Sequence, residues 1–174
     1  VRTDTTIMTS VLEARFICGH RPLFDELQDR YSQDLLDRDQ RQFIADKLEE
    51  RDERHRRAGE SRYLVEPDVK DGKGGMRDLH TLFWIAKFVY GTRSVRELYK
   101  SGLFTRKEQN RFIRCEDFMW SVRCHLHFMT GRGDDRLSFD KQAEMAARLG
   151  YEALGGLKSV ERFMKHYFLV AKDV

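Results

Sequence analysis

The stretch that decides the fold runs from Phe112 to Met129 and reads FIRCEDFMWSVRCHLHFM. Its apolar residues recur at alternating steps of three and four, which places them on one side of an α-helix. A seam with this spacing packs helices at a shallow crossing angle. Its members are Phe112, Cys115, Met119, Val122, Leu126 and Met129. The stretch therefore predicts a helical bundle.

Two further stretches repeat this spacing and extend the bundle in both directions. The first consists of Met76, Leu79, Phe83, Ala86 and Tyr90, and the second of Leu157, Val160, Met164, Tyr167, Ala171 and Val174. Other helices are predicted over 21–37, 40–58 and 138–149. Residues 11–17 fit a strand or a helix, but no other segment offers a strand partner. We therefore expect an all-α fold.

Local signals mark several helix starts. A cap residue followed three positions later by Glu or Gln predicts a capping box, and this pattern occurs at Asp39–Gln42, Ser94–Glu97 and Thr105–Glu108. The second half of the 40–58 helix is charged all round, which predicts a solvated projection. A protein-docking surface is the alternative for that helix.

The composition excludes several classes of protein. The chain has 174 residues, and 32 Lys and Arg against 29 Asp and Glu give a net charge of only +3, a weak footprint for nucleic-acid binding. No apolar run approaches the roughly 20 residues of a membrane span. The three cysteines, Cys18, Cys115 and Cys124, form no CxxC pair, so we interpret them as buried free thiols in a reducing compartment. Because the chain starts without methionine, we expect it to be a piece of a longer protein.

A glycine-rich stretch, residues 66–78, reads EPDVKDGKGGMRD and directly precedes a predicted helix. Gly72, Gly74 and Gly75 would let the backbone approach an anion, and the helix N-terminus adds partial positive charge. The basic side chains that would neutralise a phosphate are Lys70, Lys73 and Arg77. The alternative is a connector in which Arg77 and Asp78 pair and cap the helix.

Residues 66–84, EPDVKDGKGGMRDLHTLFW, resemble the segment that follows the catalytic domain in bacterial bifunctional PII uridylyltransferase/uridylyl-removing enzymes. A second matching stretch runs from Arg123 to Gln142, and residues 9–19 are similar to the family's junction. The resemblance implies that residues 1–20 end a nucleotidyltransferase domain. It also implies that residues 21–174 form a helical bundle like the substrate-binding domains of nucleotidyltransferases, with a glycine-rich loop before a central helix.

The resemblance also implies an activity for the longer protein. Such enzymes transfer UMP from UTP to a tyrosine of the PII nitrogen-signalling protein, remove it when glutamine is plentiful, and work in the cytoplasm. Their Mg²⁺ is held by a Gly-Ser turn and an Asp-x-Asp strand, and their hydrolase half needs an adjacent His-Asp pair. Neither set is in this chain; Asp37-Arg38-Asp39 imitates Asp-x-Asp without the Gly-Ser turn. We therefore expect an inactive fragment without bound metal that flanks the UTP site. The alternative is a module that docks PII without contacting nucleotide.

The resemblance carries over to individual residues. Glu13 would be the acidic residue on the last catalytic strand, where it helps to activate the attacking hydroxyl. The alternative for Glu13 is a surface carboxylate paired with Arg15 or Arg2. Taken together with the chemistry of the loop, the resemblance leads us to expect Lys70, Lys73 and Arg77 at the triphosphate of UTP or its pyrophosphate leaving group. Gly72, Gly74 and Gly75 would allow the close approach. For His127 and Asp135 we expect structural roles, and for Arg136 and Asp140 a buried pair that fixes the turn between two helices.

Overall fold

The chain folds into helices joined by short loops. The computed structural model describes residues 5–36, 39–92, 94–100 and 102–174. Within those ranges the α-helices are α1 (Thr5–Leu12), α2 (Arg21–Leu36), α3 (Gln40–Arg57), α4 (Met76–Tyr90), α5 (Arg106–Thr130), α6 (Phe139–Arg148) and α7 (Ser159–Asp173). The described ranges contain no β-strand, only two isolated β-bridges. The all-α prediction is confirmed.

The predicted helix starts differ in how they are capped. At α5 both halves of the capping box form, because the Thr105 hydroxyl and the Glu108 carboxylate each accept the other residue's backbone amide. At α3 the Asp39 carboxylate accepts two amides of the first turn. The reciprocal bond, from the Asp39 amide to the Gln42 side chain, does not form. Ser94 precedes only a short 3₁₀ helix, Val95–Glu97, and its side chain caps nothing.

Helix α5 lies at the centre of the core. Its predicted seam is buried from Phe112 to Leu126, with Met129 partly buried. Around the seam pack α4, α6 and α7 through Met76, Leu79, Met145, Ala146, Phe163, Tyr167 and Ala171. In α7 the buried stripe is shifted from the predicted one. Phe163 and Val170 join Tyr167 and Ala171, whereas Leu157 lies before the helix and is exposed. The wider stripe lets α7 face both α5 and α6.

Helix α3 is not the solvated projection that its charges predict. Lys47 is only 2% exposed, and Arg54 and His55 are 11% and 12% exposed, because the inner face of α3 packs against α4. Farther along the same interface, the rings of Phe43 and Phe88 stack with their centroids 3.9 Å apart. Only the outer face of α3 carries the solvated charge pairs that we expected.

The cysteines are free, as predicted, but they are not all buried. Cys115 lies in the core, whereas Cys18 and Cys124 are exposed. Burial raises the pKa of the Cys115 thiol, which keeps it protonated and unreactive. Among the described residues no helix combines the length and apolar character that a bilayer crossing needs.

The glycine-rich loop is wedged between the other elements of the bundle. The amide of Val69 donates to the Asp135 carbonyl at 2.8 Å, and the Leu137 amide donates to the Pro67 carbonyl at 2.9 Å. On the other side the backbone of Gly74 lies against α7. A Cβ atom there would be 2.2 Å from the Ala171 carbonyl oxygen. The glycine is required because backbone meets backbone at this point.

Replacing Gly74 by Ala is therefore expected to destabilise the chain strongly. Gly131→Ala is the matched control, because both glycines have positive φ (77° and 65°) but nothing lies within 4 Å of a Cβ at Gly131. Both variants carry the left-handed backbone penalty of about 1 kcal/mol. We expect the free energy of unfolding of Gly74→Ala to fall by about 2 kcal/mol more than that of Gly131→Ala. Urea unfolding followed by circular dichroism measures the difference, and equal losses would contradict the close packing of the loop on α7.

Candidate functional site

A cleft of about 660 Å³ lies where α1, α3 and α4 meet the glycine-rich loop. Charged side chains from α3, α4 and the loop line it together with Glu13, which follows α1. Helix α1 itself contributes hydroxyl groups, and one aromatic ring contributes to the wall. The lining residues are Thr6, Thr9, Ser10, Glu13, Lys47, Glu50, Arg54, Arg57, Ala58, Asp68, Asp71, Arg77 and Trp84. The cleft combines cationic donors, carboxylates and an aromatic surface, which suits a charged ligand that has a flat ring.

Two of the residues predicted from the sequence meet in this cleft. Glu13 follows α1 and Arg77 lies in the first turn of α4, yet both line the same space. The other predicted residues lie outside the lining. Lys70 extends toward Asp135, with 3.9 Å between its Nζ and the carboxylate, and Gly72, Gly74 and Gly75 are buried within the loop. Lys73 is partly exposed and also lies outside the lining.

The loop amides already have acceptors within the chain. The amides of Met76 and Arg77 donate to the carbonyls of Val69 and Lys70, both at 2.9 Å. The amides of Lys70 and Asp71 donate to the Asp68 carboxylate. Such amides are the usual donors to a phosphate at a helix N-terminus. A ligand in this cleft would therefore be met by side chains.

Arg77 and Lys47 flank the ring of Trp84. The Arg77 guanidinium lies 5.6 Å from the ring centroid and the Lys47 ammonium 5.0 Å from it, both within cation–π range. Arg77 also makes a long contact with Asp71, 3.4 Å from Nε to the carboxylate, and Lys47 binds Glu50 at 2.7 Å. Arg77 is held by weak contacts only, so its donors remain available to a stronger acceptor.

Glu13 is paired with a residue that the sequence did not indicate. The Lys87 ammonium lies 2.8 Å from the Glu13 carboxylate and 2.9 Å from the Leu12 carbonyl, which it caps at the end of α1. Arg15 is not the partner, and Arg2 lies outside the described residues. The segment 11–17, which fitted a strand or a helix, is helical to Leu12 and irregular afterwards. Asp37 and Arg38 of the Asp-x-Asp imitation also lie outside the described residues.

Asp78 connects the loop to α3. Its carboxylate, 13% exposed, accepts the Gly74 amide at 2.8 Å and also binds the side chains of Arg54 and His55. The sequence alternative paired Asp78 with Arg77, but the partners come from α3. No signal in the sequence sets Arg54 and His55 apart from the other charged residues of α3, which is why their contacts with Asp78 were missed.

Asp135 holds the other side of the loop. Its carboxylate accepts hydrogen bonds from Arg123 and His127, both at 2.8 Å, and attracts Lys70. Burial alone would raise the pKa of Asp135, but the hydrogen bonds from Arg123 and His127 outweigh it and hold the pKa below its ordinary value. His127 and Asp135 thus contact each other, and Asp135 also contacts the loop. The structural roles expected for them stay a prediction.

The predicted buried pair of Arg136 and Asp140 is wrong. Both side chains are exposed, and Arg136 binds Glu66 at 2.7 Å. The reason is a short antiparallel bridge between Asp68 and Arg136, which brings the Glu66 carboxylate to the turn. Glu66 also accepts the Phe139 amide at the start of α6. The turn is therefore fixed by a residue distant in sequence.

Comparisons with known proteins identify the family of this chain. The model of the GlnD PII-uridylyltransferase family matches residues 42–174, which include most of α3, the loop and all that follows. The chain belongs to this family. The chain is 60% identical to relatives from Bradyrhizobium sp. strain BTAi1 and Nitrobacter winogradskyi and 58% identical to one from Rhodopseudomonas palustris. Each match covers 99% of this chain. Each relative is named a bifunctional uridylyltransferase/uridylyl-removing enzyme.

The chain spans 19% of the length of these relatives. Glu13 precedes the part that the family model matches, whereas Arg54, Asp78 and Arg77 lie within it. The identity to the relatives extends over both parts. The comparison with solved structures gave no match.

Replacing Asp135 by Asn is expected to destabilise the chain in a pH-dependent way. The change leaves Arg123 and His127 beside a neutral partner. We therefore expect the free energy of unfolding to fall by about 3 kcal/mol at pH 7. A carboxylate with a lowered pKa contributes fully above its unfolded value, about 3.9, and loses this contribution as the pH falls through the folded value. The difference in the free energy of unfolding between the two proteins should therefore narrow as the pH falls below about 4.

Urea unfolding at several pH values measures this gap. Asp117→Asn is an exposed change on α5, the helix that carries Arg123 and His127. It is the control and should behave like the original chain throughout. A gap that stayed constant as the solution is acidified would show that the Asp135 charge is not what stabilises the loop.

Proposed function

We propose that the chain is the helical part of an enzyme that uridylylates and deuridylylates PII, and that its cleft receives the phosphates of UTP. The observation that carries the proposal is that Glu13 and Arg77 line one cleft although they are distant in sequence. The family and the named relatives support the reaction class. We place the enzyme in the cytoplasm, with glutamine acting through parts of the protein beyond this chain.

The transfer is an in-line displacement at phosphorus. The tyrosine hydroxyl of PII attacks the α-phosphorus of UTP, the new O–P bond forms, and pyrophosphate leaves. In this proposal Glu13 accepts the hydroxyl proton, and Lys87 holds the carboxylate in place. Arg77 binds phosphate oxygens with its guanidinium fork. Lys70 and Lys73 add positive charge beside the cleft, and Gly72, Gly74 and Gly75 shape the loop.

The residues described do not fit a magnesium ion by themselves. Within the described ranges, no three His, Cys, Asp or Glu side chains come together as a ligand set would. We therefore assign the Mg²⁺ of the reaction to carboxylates elsewhere in the longer protein, and we derive no step through it here. The chain alone is expected to be inactive and to bind UTP weakly.

Two substitutions in the enzyme that carries this chain test the proposal. Arg77→Ala should raise the KM for UTP about tenfold or more, because a charged hydrogen bond to phosphate is lost. Glu13→Gln should lower kcat by about 10²-fold or more while changing the KM for UTP little, because only proton transfer is affected. Steady-state transfer of radiolabelled UMP to PII measures both effects. Lys107→Ala, an exposed change at the start of α5, is the control.

The same assay separates the proposal from the docking alternative. A module that only grips PII would respond to Arg77→Ala with an unchanged KM for UTP, and changes on the outer face of α3, such as Glu49→Ala, would weaken PII binding. Unchanged kinetics in both the Arg77 and the Glu13 variants would refute the assignment of the cleft to UTP.

A further inference from the structure

Helix α3 carries cations into the cleft that the glycine-rich motif did not indicate. Lys47, Arg54 and Arg57 line the same space as Arg77, but they come from a different helix. The end of α3 lies beside the start of α4, because Arg54 and His55 both bind Asp78. The cations of α3 and the Arg77 guanidinium thus belong to two walls of one cleft.

Building on the proposed function, we infer that Arg57 binds the polyphosphate end of UTP from the α3 wall, with Arg54 behind it. The loop lysines that the sequence favoured, Lys70 and Lys73, lie outside the cleft lining. The α3 arginines therefore take the place that those lysines were expected to fill, and they act together with Arg77.

Arg54 has an unused donor within the bundle. One of its Nη atoms binds the Asp78 carboxylate, but its buried Nε has no acceptor among the described residues. Buried donors are usually paired, so this Nε has hydrogen-bonding capacity left over, as four other buried side-chain atoms of the described residues also do. A phosphate oxygen that reached it would use that capacity, because guanidinium groups bind phosphate through paired N–H donors.

Arg57 is the more accessible of the two arginines. Its side chain is 73% exposed, and its contacts with Glu53 are long, 3.5 Å to the carbonyl and 3.6 Å to the carboxylate. Such a loose surface pair costs little to break. The guanidinium can therefore turn to a ligand without disturbing the fold, which also makes it the right residue to mutate.

The lining favours a polyphosphate over a peptide carboxylate. Arg54, Arg57 and Arg77 supply guanidinium forks from two elements, which suits a ligand with several charged oxygens along its length. Trp84 adds an aromatic surface in the same cleft, where Lys47 and Arg77 lie over its ring. A single carboxylate would use only one of these forks.

The neighbouring residue provides a matched control for the test. Arg56 is also exposed, also on the last turn of α3 and also paired with Glu53, but it does not line the cleft. In the enzyme that carries this chain, we expect Arg57→Ala to raise the dissociation constants of UTP and of inorganic pyrophosphate about five- to tenfold. Arg57→Lys should recover part of the affinity, because it keeps the charge but loses the fork. Arg56→Ala should change either constant less than twofold.

Calorimetric titration with UTP and, separately, with pyrophosphate measures these constants, and thermal unfolding shows that the variants stay folded. Equal affinities in the Arg56 and Arg57 variants would overturn the inference. Loss of UTP binding with unchanged pyrophosphate binding would also overturn it, since Arg57 would then contact another part of the nucleotide. The proposed function is judged apart from this inference, by the Arg77→Ala and Glu13→Gln variants. If those two variants show the expected kinetic defects while Arg57→Ala binds UTP and pyrophosphate normally, the proposed function stands and only the inference is overturned.

Discussion

The Asp78 carboxylate is the contact on which the arrangement of the cleft depends. It lies in the first turn of α4, accepts the Gly74 amide from the loop, and binds Arg54 and His55 from α3. Three segments of the chain thus share one largely buried acceptor. A buried carboxylate is tolerated only when hydrogen bonds and opposite charge compensate the loss of water. The same requirement fixes where α3 ends relative to α4.

A second carboxylate completes the support of the loop. Asp135 joins α5 to the loop through Arg123, His127 and Lys70, and its backbone carbonyl accepts the Val69 amide. The loop is therefore fixed from both sides, and so is the backbone of Arg77 at its end. Fixing that backbone before a ligand arrives lowers the entropy lost on binding, while the Arg77 side chain, which makes long contacts with the described residues, stays available to the ligand. The buried core around α5 makes this rigidity possible, because it fixes the helices that supply both carboxylates.

The parts of the fold that the sequence predicted correctly are the local ones. The seam of α5 and the capping box at Thr105 arise from residues three or four positions apart, and such spacings are visible in the chain itself. The family resemblance added the reaction class, which no spacing indicates. Glu13 and Arg77, which were both singled out from the sequence, line one cleft. Their roles remain predictions.

The parts that failed depend on pairs distant in sequence. The charges of α3 suggested solvent, but Arg54 finds Asp78 across 24 positions. Arg136 binds Glu66 across 70 positions instead of nearby Asp140, and Glu13 binds Lys87 across 74. The pattern of charges along the sequence is the same whether a charged residue faces water or a buried carboxylate. Only the packed structure distinguishes the two cases. This is also why the α3 cations of the cleft were missed.

The close packing of Gly74 on Ala171 has a consequence for how the glycine-rich motif can be reused. The loop takes its shape from the backbone of α7, from the turn after α5 and from the side chains of α3. Its thirteen residues, 66–78, therefore do not constitute a portable cassette like a short phosphate-binding turn. Grafted before a helix of another protein, they would lack every surface that holds them. In this chain the motif and the bundle around it form one structural unit.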